Sequence, residues 1–125
     1  MTLQECYQQL GGDFAKVKTR LPSDSLITRF ITKFLDDSSF SDLCLALDNG
    51  RRTEAFGAAH TLKGVCANLG FDRLGTSASK MTELLRPEGN GVPEDAVFIL
   101  GEVSHDYEAT VSAIRACLDL ESRSE

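Results

Sequence analysis

The chain has no tryptophan, only three prolines, and no apolar run near the roughly 18–20 residues that a membrane-spanning helix needs. Its amino terminus, MTLQECYQQLGGDF, has neither a basic n-region nor an apolar h-region, so it does not read as a secretory signal. The expected location is therefore the cytoplasm, with no membrane contact. Metal-binding spacing is also missing. Cys6, Cys44, Cys66 and Cys117 lie far apart, without C-x-x-C or H-x-x-C, which argues against a zinc site or a thioredoxin-like motif. Each falls beside apolar residues, as suits reduced thiols used as small core hydrophobes. Basic residues are too few and too scattered for nucleic acid: thirteen against nineteen acidic ones, a formal charge of −6, paired only at Arg51-Arg52. No glycine-rich phosphate loop occurs, no Asp/Glu pair is set up to hold Mg²⁺, and no second histidine is close in sequence. The chain is thus not expected to bind ATP or to phosphorylate itself.

What is present is ordinary globular composition, 42% hydrophobic and 26% charged over 125 residues, enough for one domain with a single core. Apolar residues recur at three and four rather than two, which predicts helices throughout. Leu3, Cys6, Tyr7 and Leu10 make a first stripe that stops at Gly11-Gly12. A short helix follows through Phe14, Val17 and Leu21, with Asp13 as N-cap and Pro22 as terminator. Ser23 or Asp24 starts a third, with Leu26, Ile27, Phe30, Ile31, Phe34 and Leu35 inward, broken at Asp36–Ser39. Phe40, Leu43, Cys44 and Leu47 form the next, ended by Asn49-Gly50. A long segment runs from about Arg52 to Leu69 and ends at Gly70, and another from about Asp72 is halted by Pro87. After the loop Glu88–Gly91, Pro93 suits the first turn of a last helix carrying Leu100, Val103, Tyr107, Val111, Ile114 and Leu118. The polar end, ESRSE, is expected to fray. The predicted fold class is all-α: an antiparallel up-down four-helix bundle over about 23–120, preceded by one or two short helices over about 1–22.

The segment TEAFGAAHTLKGVCANLG is the most informative. Its core stripe is Ala55, Ala59, Leu62, Cys66 and Leu69. At about 100° per residue, His60 points about 140° away from the centre of that stripe. Gly57, Lys63, Gly64 and Ala67 share its outward face. Two interior glycines cost on the order of 1 kcal/mol each relative to alanine. Both flank the same imidazole, so access for a flat partner surface is the simplest reason for them. A neutral imidazole carries a free lone pair and can attack phosphorus without a deep pocket. Lys63 puts a positive charge one turn away, where a phosphoryl group could be partly neutralised. His105, beside Asp106, has no such neighbours and reads as a solvated or hydrogen-bonded residue.

The stretch AAHTLKGVCANLGFDRL resembles the signature of histidine-containing phosphotransfer (HPt) domains of bacterial two-component phosphorelays: H-x-L-K-G, a small-residue run, then L-G and another helix. The upstream GGDFAKVKTRLPSDSLITRFITKFLDD and the downstream HDYEATVSAI are similar to the rest of that family. The resemblance implies a bundle whose exposed histidine exchanges a phosphoryl group with a receiver-domain aspartate. By position, His60 would be the phosphoacceptor, Lys63 would lie beside the phosphohistidine, and Gly64 would leave room for the receiver. Gly57 and Ala67 would belong to the same face. Position further suggests Phe56 and Phe71 as apolar partner contacts, with charge from Arg52, Arg73 and Lys80. The implied partner is the receiver domain of a response regulator or hybrid histidine kinase. The receiver would supply Mg²⁺; the chain would need no cofactor and have no autonomous kinase activity. Two alternatives stay open: a phosphorylation-silent docking module, and the amino-terminal substrate domain of a chemotaxis-type kinase. Met1 and the complete bundle pattern favour a free-standing protein. Every stripe can be buried within one chain, so a monomer is expected.

Overall fold

A computed structural model describes the backbone of residues 1–123 and the side chains of residues 1–119. Among these residues there are seven helices and no strand: α1 (Leu3–Leu10), α2 (Phe14–Arg20), α3 (Asp24–Phe34), α4 (Ser39–Asp48), α5 (Arg52–Leu69), α6 (Asp72–Leu84) and α7 (Ala96–Arg123). The first three have side-chain N-caps that satisfy amides left open by the first turn. Thr2 and Glu5 form a reciprocal capping box on α1. Asp13 Oδ1 accepts from the Lys16 amide at 3.0 Å, and Ser23 Oγ accepts from the Leu26 amide at 3.0 Å. α2 stops at Leu21, whose successor Pro22 disfavours helical geometry in the residue before it. Pro93 opens a turn rather than the helix itself: the Ala96 amide donates to its carbonyl at 3.1 Å, and α7 starts there. The tail ESRSE lies partly outside the described residues; helical backbone reaches Arg123.

α5 packs against α4 on one side and α6 on the other, and α6 packs against α7. The Phe40 ring stacks on Tyr107 at 4.2 Å, which brings α4 against α7 and closes a four-helix ring. α1 and α3 pack on α7, and α2 packs on α1. One apolar cluster runs through the whole, including Tyr7, Leu10, Ile27, Ile31, Phe34, Leu62, Phe71, Met81 and Ile114. Phe30 departs from the expected inward stripe of its helix: it is 37% exposed, with Lys33 Nζ 5.7 Å from its ring centroid. Cys6, Cys66 and Cys117 are buried and Cys44 is half-buried, none in a disulfide. Among the described residues, no buried side-chain nitrogen or oxygen lacks a hydrogen-bond partner.

The amino-terminal hairpin locks onto the end of α5. Gly70 ends α5 at φ 71°, a left-handed conformation that a side chain would strain. Its carbonyl accepts from the Asp13 amide at 2.9 Å, and the Arg73 amide donates to the Gly11 carbonyl at 3.0 Å. The two turns therefore meet backbone to backbone, and a Cβ on Gly12 would collide with the Gly70 carbonyl. The buried Tyr7 hydroxyl donates to the Leu69 carbonyl at 2.7 Å, and Arg20 Nη1 donates to the Ala67 carbonyl at 2.7 Å. Carbonyls that the end of α5 leaves open are thus satisfied by α1 and α2.

Candidate functional site

Packing between α4 and α6 fixes which way α5 faces. Ala55, Ala59, Leu62 and Cys66 are at most 1% exposed, and Leu69 is also buried. The opposite face is left to solvent, and His60, Gly57, Gly64 and Ala67 are all exposed on it. A Cβ added to Gly57 or Gly64 would meet nothing within 4 Å. Neither glycine serves a close helix contact, and neither has positive φ. Their effect is to leave open space on both sides of the imidazole.

Phe56, one turn before, is half-buried; its ring lies 6.0 Å from the His60 ring with planes 20° apart. Lys63 is half-buried and leans to the α6 side, where it lines an open groove with Ala67 and Lys80. Its charge reaches across that groove. The Glu83 carboxyl is held below the usual carboxylate range, first by hydrogen bonds from Arg86 and to a lesser degree by the charges of Arg86 and Lys63. Burial, helped by the charge of Asp37, pushes the Cys66 thiol up to about 12, so beneath the site it stays an inert thiol.

Two residues expected at the partner surface lie elsewhere. Phe71 is fully buried, with an edge-on contact to Phe34 at 5.1 Å and a tilted one to Tyr7 at 5.8 Å. It sits between Gly70 and the start of α6, where the chain turns into the core. Arg52 does not project to a partner either. Its guanidinium donates to the carbonyls of Leu84, Leu85, Arg86 and Gly91, with the shortest bond 2.7 Å to Arg86. It caps the end of α6 and ties down the loop to α7, a role that a five-donor planar fork fills well. No local sequence signal announces it, since the carbonyls lie more than thirty positions away. Lys80 is exposed but paired with Glu102 at 3.1 Å. Arg73 and His105 are exposed.

Among the described residues, no group of three or more His, Cys, Asp or Glu side chains could hold a metal ion. No helix there is long and apolar enough to cross a membrane. No curated protein and no solved structure matches the chain. Residues 26–120 match the Hpt domain family, a span that starts in α3 and contains His60, both flanking glycines and Lys63. With a match over most of its length and an all-helical bundle to go with it, the chain belongs to the Hpt domain family, the phosphotransfer modules of two-component phosphorelays.

Proposed function

We propose that this protein is a phosphorelay intermediate that takes a phosphoryl group onto His60 from a receiver-domain aspartate and passes it on. The observation that carries this reading is the exposure of His60 in the middle of α5, with empty space where Gly57 and Gly64 would otherwise hold side chains. A receiver is a folded domain whose reactive aspartate is ringed by loops. Only an open, flat approach lets an imidazole reach it, and a bulky neighbour on the helix would hold the two apart by more than bonding distance.

In the forward step a ring nitrogen of neutral His60 attacks phosphorus in line. A nitrogen–phosphorus bond forms as the bond to the aspartyl oxygen breaks, and the receiver's carboxylate leaves with the bonding pair. The ring then carries the phosphoryl group on one nitrogen, and the reverse step breaks that bond and returns the group to a carboxylate. Mg²⁺ belongs to the receiver and neutralises phosphoryl charge there. Lys63 adds a positive charge one turn from the histidine. Phe56 limits how far the imidazole can swing, and Ala67, like the glycines, keeps the next turn low. Phosphotransfer modules of this kind work without a kinase fold of their own.

The test is transfer from a purified, phosphorylated receiver with Mg²⁺ to wild type and to His60→Gln. Label on the wild type alone, acid-labile and alkali-stable, is the expected result. Equal label on both proteins would remove His60 from the mechanism. Receiver binding without label on either would favour the silent docking module.

A further inference from the structure

The two flanks of α5 carry opposite charge. Toward α6 lies an open groove of about 990 Å³ with Lys16, Lys63 and Lys80 on its walls against Asp72 and Glu83. Two of these charges are already paired at the surface, Glu83 with Arg86, which donates to both its oxygens at 2.8 Å, and Lys80 with Glu102 at 3.1 Å, which leaves Lys16 and Lys63 against Asp72. The Lys80 pair is about half exposed and weak enough to yield to a docking carboxylate. The floor of this groove is apolar, formed in part by Ala67, Leu84 and Ile99. Toward α4 lies a smaller depression of about 410 Å³ lined by Asp37, Asp42 and Glu54, with no lysine or arginine on its walls. Arg51, off these walls, pairs with Glu54 at 3.4 Å in an exposed contact, and Asp37 and Asp42 make no ion pair among the described residues. At about 100° per residue, His60 and Gly64 stand on the ridge between the two flanks. Lys16 comes from α2, ahead of the first residue of the family match, so part of the basic flank is contributed by the amino-terminal hairpin.

We propose that this polarity orients and selects the docking receiver. Its contact face lays acidic and apolar side chains over the α5–α6 groove and basic ones over the α4 flank, which sets its aspartate above His60. Lys16 and Lys80 on one side, and Asp42 and Glu54 on the other, are the selecting residues. This rests on the relay reading given above. The physical reason is that complementary potentials steer encounter and fix register, whereas like charges set opposite each other reject a partner. A protein of net charge −6 repels an acidic surface in general. A local basic groove gives that surface one favourable approach, and the acidic flank forbids the approach turned by half a revolution.

Transfer rates from phosphorylated receivers encoded in the same genome would test this, using the receiver fastest with wild type. Two double variants leave His60 and Lys63 untouched: Lys16→Glu with Lys80→Glu, and Asp42→Lys with Glu54→Lys. They move the net charge by equal amounts in opposite directions. Steering by net charge alone would therefore speed one and slow the other. Polarised docking slows both, by roughly fivefold or more each at low salt, with the gap closing at about 0.5 M NaCl. Thermal melts report folding. Should a reversal unfold the protein, the neutral pairs Lys16→Gln with Lys80→Gln, and Asp42→Asn with Glu54→Gln, carry the same test with about twofold slowing. Rates within experimental error of wild type for both pairs, or changes of opposite sign, would overturn the inference while labelling of His60 stands. No transfer to wild type from any receiver would overturn the relay reading, and this inference with it.

Discussion

The rings of Phe56 and His60 stand one turn apart on the open face of α5, their centroids 6.0 Å apart and their planes 20° from parallel. The spacing makes Phe56 a side wall for the imidazole rather than a tight stacking partner. His60 is exposed and can change with little effect on folding, whereas Phe56 is half-buried and packs against the core cluster. His60→Gln is expected to shift stability by no more than about 0.5 kcal/mol while transfer is lost. Phe56→Leu is expected to fold with a stability cost of up to about 1 kcal/mol and to slow transfer about threefold, through loss of roughly 0.7 kcal/mol of ring positioning. Urea titrations beside single-turnover labelling would check both.

Gly57 and Gly64 should separate stability from activity. Both occupy ordinary helical backbone with open space where a Cβ would go. Gly64→Ala is therefore expected to stabilise the fold by about 0.5–1 kcal/mol, seen as a higher urea midpoint. Gly64→Leu is expected to fold as well as wild type and to slow transfer at least tenfold, because a branched side chain stands where the receiver must come down. A Gly64→Leu variant that transfers at the wild-type rate would mean that this side of the histidine is not approached.

Arg52 is a structural prediction. Removing its guanidinium takes the donor from the carbonyls of Leu84, Leu85 and Gly91, while that of Arg86 keeps the Glu88 amide at 2.7 Å. Arg52→Ala is expected to cost about 1–3 kcal/mol. Arg52→Lys should recover less than half of that, since one ammonium cannot span several carbonyls. Transfer by the folded fraction should be unchanged, which distinguishes this arginine from a docking residue.

The amino-terminal hairpin is fastened by the buried bond from the Tyr7 hydroxyl to the Leu69 carbonyl, 2.7 Å long. Tyr7→Phe keeps the ring packing and deletes only the donor. A cost of about 1–2 kcal/mol is expected, with faster amide hydrogen exchange in α1 and α2 than in α4.

Alkali should destabilise the fold in a defined window. Burial raises the Cys66 thiol from its ordinary value of 9.0 to about 12, and raises the Tyr7 phenol as well. In the unfolded chain both groups ionise at their ordinary values. A group raised on folding contributes its full stability below the unfolded pKa and loses it as pH climbs toward the folded one. Stability is thus expected to be flat up to about pH 8.5 and then to fall, on the order of 1 kcal/mol per pH unit for the thiol. Urea midpoints at pH 8 and pH 10 measure the slope, and Cys66→Ala should make it shallower.

Helix phase is a local property, and it made much of this protein legible. The three-and-four spacing of Ala55, Ala59, Leu62, Cys66 and Leu69 is enough to turn His60 outward with glycine on either side, because 3.6 residues per turn fixes those directions wherever the helix ends up. Asp13, Ser23, Pro22 and Gly70 likewise mark helix ends through bonds or steric clashes within a few residues of themselves. Tertiary structure decided the rest. Phe71 looked available on position alone, and it is buried because the turn after Gly70 points it at Phe34 and Tyr7. Arg52 reads as a surface charge until α6 ends within its reach. Phe30 fits an apolar stripe, and stays part-exposed because no neighbouring helix covers it fully. The gathering of Lys16, Lys63 and Lys80 on one side of α5, from three helices, has no signature in the chain. Long side chains meet according to which helices pack together, and that choice is made by the whole core at once.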